Sequence, residues 1–297
     1  MKDEINIFEF TEAFPDEASC IAYLEKSRWQ DGNPVSPFGG GEAYRISGPG
    51  FYKCKKTRQT FTVRHGTIFE ESRLPLKKWF FALFLLHSLK KGISSIQLAK
   101  YLGVTQKTAW FMLQRIRYAV EHKEFKKPLS GTDESDENYM GGRRSGVRGR
   151  GAVGKTPVMK ILQRESDIRW EAVSNVKTRT VSPILRETFT IGSALMTDEF
   201  CIYPGIARHG YGHKVANHGT GEYANGDART NNFEGFLSHL KRGIKDVYIQ
   251  VSRKHLKKYC KEYESCFNRR HISDFVRLQK WFGFCFGRLT LGKLTAQ

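Results

Sequence analysis

Long apolar runs are missing from this chain. The longest, Trp79 to Leu86, falls far short of the roughly 20 residues that a membrane span needs. The opening segment MKDEINIFEF is acidic and lacks the apolar stretch of a secretory signal. A paired cysteine framework is missing too. The six cysteines (Cys20, Cys54, Cys201, Cys260, Cys266 and Cys285) are scattered, which reads as reduced thiols in a cytosolic or nuclear compartment. There is no internal repeat and no long low-complexity tract. Acidic residues are in deficit: 30 Asp and Glu face 49 Lys and Arg, a net charge of +19. That excess argues for a polyanionic partner, nucleic acid ahead of an acidic membrane surface. What is present suffices for folding. With 39% hydrophobic and 13% aromatic residues, the 297-residue chain can bury a core, and its length suits two domains with a small third.

Residues 1–70 are rich in glycine and turn signals. Between Asp31-Gly32-Asn33-Pro34 and Gly48-Pro49-Gly50 no long helix fits. Phe51–Cys54 and Gln59–Val63 read as short strands. A module this small needs a staple or a neighbour. Residues 71–125 change character. Pro75 suits a helix start, and Leu76 to Lys90 is a mostly apolar helix broken by Gly92. Ser94–Leu102, Gly103 and Thr105–Tyr118 then read as helix, tight turn, helix. Ala99 allows close approach, Gly103 permits the turn and Thr105 is an N-cap. A helix-turn-helix places its second helix in the major groove. The residues it would offer to DNA are Gln106, Lys107, Gln114, Arg115 and Arg117.

Residues 126–297 read as mixed α/β. Strands are expected over 133–140, 157–164, 168–174 and 194–197, and helices over 181–189, 231–244 and 254–267. Between the first two strands runs a basic loop with Arg143, Arg144, Arg148 and Arg150, suited to phosphate contact. Three features then belong together: Asp136 on a strand, Asp198 at a strand end, and the 231–244 helix. At about 100° per residue, Phe233, Phe236, Leu237, Leu240 and Ile244 form one stripe of that helix. Asn231, Glu234, Ser238, Lys241 and Lys245 form the other. Phosphodiester cleavage can use two Mg²⁺ ions, which take oxygen ligands. Two strand aspartates and a helix Glu or Asn supply them, and Lys241 could hold a phosphate. His213 and His218 fit a loop-ordering or DNA-contacting role better than a metal role. Trp79, Trp110 and Trp281 read as packing residues.

On these residues the chain resembles the IS1595 (ISXO2-like) family of insertion-sequence transposases. The likeness runs from about Phe14 to Arg270. It is carried by FPDEASCIAYLEKSRW, TVRHGTIFEESRLPLKKWFFALFLL, GISSIQLAKYLGVTQKTAWFMLQRIR, SDENYMGG, LMTDEFCIY, GHKVANHGTGEYANGDARTNNFEGFLSHLKRGI and VSRKHLKKYCKEYESCFNRR. The resemblance implies an RNase H-like mixed-sheet catalytic domain over 126–297. Ahead of it come a helix-turn-helix over 71–125 and a zinc-ribbon-like module over 1–70. It implies metal-dependent DNA transposition with two Mg²⁺ or Mn²⁺ ions. The catalytic set falls on Asp136, Asp198, Asn231 or Glu234, and Lys241. Charge ranks Glu234 slightly ahead of Asn231 as the third ligand. The implied partners are double-stranded DNA, as element ends and as target, and a second copy in a homodimer or larger synapse. The implied setting is the nucleoid-bearing cytoplasm of a bacterium or a eukaryotic nucleus, with no membrane.

The sequence departs from that pattern in places. Where relatives carry two Cys-x-x-Cys pairs, it reads Ser36-Pro37-Phe38-Gly39 and Cys54-Lys55-Lys56-Thr57. One thiolate cannot make a tetrahedral zinc site, so no structural zinc is expected, and the module is expected to be loose or partly unfolded. Arg229 replaces a histidine, and the Asp136 strand opens with acidic Asp133 and Glu134. These departures motivate a second reading, a decayed or domesticated transposase acting as a DNA-binding regulator. An RNA-directed nuclease is a weaker third.

Overall fold

A computed structural model describes residues 5–89, 91–120, 132–140, 156–163, 168–175, 177–197, 212–215, 240–249 and 251–285, with scattered positions beyond. The chain divides into two compact units, 1–122 with 271–297, and 123–270.

The first unit opens with two short helices, α1 (Ile7–Ala13) and α2 (Glu17–Arg28). Reciprocal capping boxes start both, Asn6 with Glu9 and Asp16 with Ser19. An antiparallel sheet follows, with β1 (Ala43–Arg45), β2 (Phe51–Cys54) and β3 (Thr60–Thr62) in that order. Helix α3 (Leu76–Ser88) begins after Pro75, which has no side-chain oxygen to cap it. The carboxylate of Glu17 serves instead, accepting from the amides of Leu76 at 2.9 Å and Lys77 at 3.2 Å. A negative group there also suits the positive end of the helix dipole. Helices α4 (Ser95–Leu102) and α5 (Gln106–Val120) come next.

Residues 1–70 are therefore not a separate module. Phe10, Tyr52 and Phe61 share one buried core with Phe80, Leu83, Leu113 and Phe282. The expected boundary near residue 70 dissolves, because the small sheet is tied to α2, whose Glu25 accepts from the Gly50 amide at 2.9 Å and whose Arg28 donates to the Val63 carbonyl at 2.6 Å, and both share one core with α3. The expected catalytic region of 126–297 is corrected as well. Its last helix, α8 (Asp274–Phe284), belongs to the first unit. Phe282 there packs on Phe80 at 4.2 Å between ring centroids, and Trp281 on His87 at 4.5 Å. Arg277 donates to the His87 carbonyl at 3.1 Å.

The second unit holds a five-stranded mixed sheet. Its strands are β4 (Thr132–Met140), β5 (Thr156–Gln163), β6 (Ile168–Ala172), β7 (Ala194–Thr197) and β8 (Gly212–Val215), in the order β6-β5-β4-β7-β8. The first three pair antiparallel; β4 with β7 and β7 with β8 pair parallel. Helix α6 (Thr178–Thr188) connects β6 to β7. Helix α7 (Leu256–Asn268) covers the outer edge of β6. Asn268 accepts from the Ile168 amide at 2.8 Å and donates to its carbonyl at 2.9 Å; Glu264 accepts from the Trp170 amide at 2.9 Å. These side chains occupy strand groups that could otherwise template another chain. Lys261 sits between Glu171 at 3.0 Å and Glu264 at 2.8 Å. Burial works against its charge, but the two carboxylates outweigh it and hold the ammonium above its ordinary pKa.

Before α7, residues 240–242 are helical, and the chain then loosens into an i→i+5 turn over Gly243–Val247, closed by Tyr248 N–H donating to the Gly243 carbonyl. Gly243 is required there: a Cβ would lie 1.5 Å from the Tyr263 hydroxyl oxygen. Among the described residues, no helix is long and apolar enough to cross a membrane.

Two stability losses follow. Phe282→Ala should cost about 3–5 kcal/mol, the usual range for emptying an aromatic core site, read as a lowered midpoint in urea. Gly243→Ala should also lower the urea midpoint, because its Cβ would meet both the hydroxyl oxygen and Cζ of Tyr263.

Candidate functional site

The α4–turn–α5 unit is built by local chemistry. The Ser94 hydroxyl caps α4 by accepting from the Gln97 amide at 3.2 Å. Gly103 takes the left-handed conformation (φ 58°, ψ 50°) that ends α4, and buried Ala99 lets the helices approach. The Thr105 hydroxyl accepts from the Thr108 amide at 3.2 Å, as expected of an N-cap. The first turn of α5 then presents Gln106 and Lys107 to solvent.

Three residues expected on the same exposed face are buried instead. Gln114 and Arg117 have no accessible surface, and Arg115 is 6% exposed. Arg115 donates to the carbonyls of Leu289 at 3.1 Å, Ile68 at 2.9 Å and Glu70 at 2.8 Å. Its guanidinium also lies 4.7 Å from the Phe111 ring centroid. The reason is tertiary: α5 runs through the middle of the unit, and a fork of five N–H donors can tie several carbonyls there. The exposed polar surface of α5 thus shrinks to its first turn. Exposed cations that the sequence reading passed over are Lys100 on α4 and Lys55, Lys56 and Arg58 at the β2–β3 tip. The run KCKKTR was the available signal.

The two knuckles without thiolate pairs are ordered, not loose. Ser36 donates its amide to the Gly41 carbonyl at 2.8 Å and its hydroxyl accepts from the Phe38 amide at 3.1 Å. The Thr57 amide donates to Cys54 Sγ at 3.4 Å. Hydrogen bonds from the Ser36 side chain and from Thr57 bring the Cys54 thiol down to about 7. Hydrogen bonding here does the tying that a four-thiolate metal site would do.

In the second unit, Asp136 lies on the central strand β4, with Lys160 of β5 as its partner. On the other side β4 pairs parallel with β7, Ser135 against Thr197. Asp198 directly follows Thr197 in the chain and lies outside the described residues, as do Asn231, Glu234, His218, Arg143, Arg144, Arg148 and Arg150. Lys241 and Lys245 are exposed, while Leu240 is buried and Ile244 packs on the same cluster. The expected split of that helix thus holds over its described end. Lys258 is buried, Lys257 pairs with Glu171 at 3.2 Å, and Arg269 bonds Ser265 at 2.7 Å, so these spare little charge for a ligand. The oxygen donors Asp136, Asp198, Glu234 and Asn231 suit a hard divalent ion such as Mg²⁺ or Mn²⁺.

Two measurements test these placements. Arg115→Ala should lower stability by at least about 1–3 kcal/mol, the cost of leaving a buried acceptor without its donor, because the Leu289, Ile68 and Glu70 carbonyls all lose theirs. Lys107→Ala, on the exposed turn, should leave the urea midpoint within about 0.5 kcal/mol of the parent. Cys54 has its folded pKa below that of a free thiol. Its contribution is therefore absent below about pH 7 and grows as pH rises toward the unfolded thiol value. The urea midpoint of the parent should rise over pH 7–9 relative to Cys54→Ser.

A model of the ISXO2-like transposase domain matches residues 128–268, close to the limits of the second unit. A protein in the transposable element ISH50 of Halobacterium salinarum is 27% identical over 276 residues, 84% of this chain and 90% of that relative. A transposase-like protein of Haemophilus influenzae is 30% identical over 108 residues, 36% of this chain and 86% of the relative. Among solved structures, a pre-cleavage Mos1 transpososome aligns with a TM-score of 0.26 and 11% identity, covering 74% of this chain and 83% of the other. A Mos1 strand transfer complex aligns with a TM-score of 0.25 and 12% identity over 70% and 81%. The matched span and the two sequence relatives agree: the chain belongs to the IS1595 (ISXO2-like) family of transposases.

Proposed function

We propose that the chain binds the terminal inverted repeats of its element through α4–turn–α5, acting as a helix-turn-helix. We further propose that its second unit, an RNase H-like domain, carries out 3′-end cleavage and strand transfer. The parallel pairing of β4 with β7 carries this reading. Ser135 faces Thr197, and the next residue in each chain is an aspartate. Asp136 follows the end of the parallel pairing, on its carboxyl side, where open α/β sheets bind ligands, and Asp198 is the residue after Thr197 in the sequence.

Asp136 and Asp198 would hold the ions, with Glu234 or Asn231 as third ligand. Two Mg²⁺ or Mn²⁺ ions, when bound, supply an activated water and stabilise charge at phosphorus. In the first step water attacks the phosphorus at the element end. The P–O3′ bond breaks, leaving a free 3′-OH on the element and a 5′-phosphate on the flank. In the second step that 3′-OH attacks a target phosphodiester, and the target's own 3′ oxygen leaves. Lys241, exposed on the polar side of its helix, would clamp a phosphate and hold the reacting ends in line. Joining two ends calls for a homodimer or larger synapse on double-stranded DNA.

The regulator reading rested on the missing thiolates and the acidic start of β4. That reading predicts salt-sensitive end binding without any Mg²⁺- or Mn²⁺-dependent nicking, whereas the transposase reading predicts both.

The test is strand joining with the element's own ends in Mg²⁺. Asp136→Asn and Asp198→Asn should each lower joining by at least about 100-fold, since even outer-shell partners of a metal cost ~10–100-fold. End binding in a gel shift should persist. Joining by either variant at the parental rate would sink the assignment.

A further inference from the structure

The first residues of α4 and α5 are joined. Gln106 donates from Nε2 to the hydroxyl of Ser95 at 2.8 Å. Ser95 opens α4 and Gln106 opens α5, so the bond spans the mouth of the helix pair. Gln106 is exposed, yet its amide is already held in place.

A primary amide has two N–H groups and one carbonyl oxygen. Ser95 takes one N–H. The other N–H and the oxygen remain, a donor beside an acceptor. In the major groove adenine presents the complement, an N7 acceptor beside an N6–H donor. Guanine presents two acceptors, N7 and O6, and would set one of them against the amide oxygen. With Gln114, Arg115 and Arg117 buried, base reading along α5 is confined to its first turn. There Lys107, and Lys100 on α4, are exposed cations suited to phosphates rather than to base choice.

We propose that Gln106 reads the adenine of one A·T pair in the element's end, and that Ser95 is its positioning residue, fixing the amide before DNA arrives. The inference rests on the reading of α4–turn–α5 as the DNA-binding helix pair and deepens it to a base and a residue.

The test selects duplexes from a random-sequence pool with the full chain. Binding to the selected duplex and to its single base-pair variants is then measured over a range of salt. The parent should prefer A·T over G·C at one position by about 5- to 100-fold, the span of one bidentate contact. Gln106→Ala should lose that preference and keep the others. Ser95→Ala should weaken it, and Ser95→Thr, which keeps a hydroxyl, should retain it. All three should keep the parental salt slope. Lys107→Ala should keep the preference and flatten the slope by about 0.9, one phosphate contact. A role limited to bracing the two helices would move the melting temperature of Ser95→Ala and leave base preference alone. Preference for A·T that survives in Gln106→Ala, or Ser95→Ala selecting like the parent, would overturn the inference while leaving the DNA-binding reading intact. A parent that enriches no sequence would overturn that reading, and the inference with it.

Discussion

Backbone pairing along both edges of β4 is the constraint on which the rest of the second unit depends. The strand reads Thr-Asp-Glu-Ser-Asp-Glu-Asn-Tyr-Met, poor in the β-branched and apolar residues that central strands favour. It is nonetheless flanked by β5 from Asp133 to Met140 and by β7 from Thr132 to Ser135. The switch from antiparallel to parallel neighbours falls at this strand. Because of it β4 and β7 run in the same direction, paired from Thr132 with Ala194 to Ser135 with Thr197. Position, not side-chain preference, keeps an acidic strand in the middle.

The sheet's other edge shows the same economy. Asn268 and Glu264 take up the backbone groups of Ile168 and Trp170, and Lys261 neutralises the carboxylates drawn in with them. Their helix, α7, is buried on more than one side, which is why its lysines serve structure before ligand. The first unit behaves likewise. Arg115 of α5 binds carbonyls of its own unit, and the exposed polar surface of that helix is its first turn.

Much of this was legible because the signals were local. Gly103 and Thr105 announce the turn between α4 and α5. Apolar residues mark β5, alternation marks β6, and the strand over Ala194–Thr197 falls where it was expected. The capping boxes of α1 and α2 were also in the sequence, but the glycine-rich stretch that follows them drew the reading toward loops. What stayed hidden is non-local. Nothing near Arg115 announces that its acceptor is Leu289, 174 positions away. Nothing near Phe282 announces Phe80. A polar residue on a helix reads as exposed until the chain that covers it is known. The candidate site was legible as types and order of residues, and the pairing of β4 with β7 adds that Ser135, just before Asp136, lies opposite Thr197. The ordered knuckles escaped because thiolate counting looks for a metal and overlooks a thiol tied by a hydroxyl and an amide.

The discontinuity of the first unit sets a timetable for biosynthesis. Phe80, Phe14 and Tyr23 wait for Phe282, and Arg115 waits for Leu289, so this unit cannot close until residues beyond 270 have left the ribosome. At about 5–20 residues per second, the intervening 123–270 segment occupies roughly 7–30 s of translation. Throughout that interval the nascent chain carries α5 without its cover. The second unit is thus spelled out in full before the first can be finished, so a ribosome-bound fragment holds a complete 123–270 segment beside a first unit still lacking its last helix.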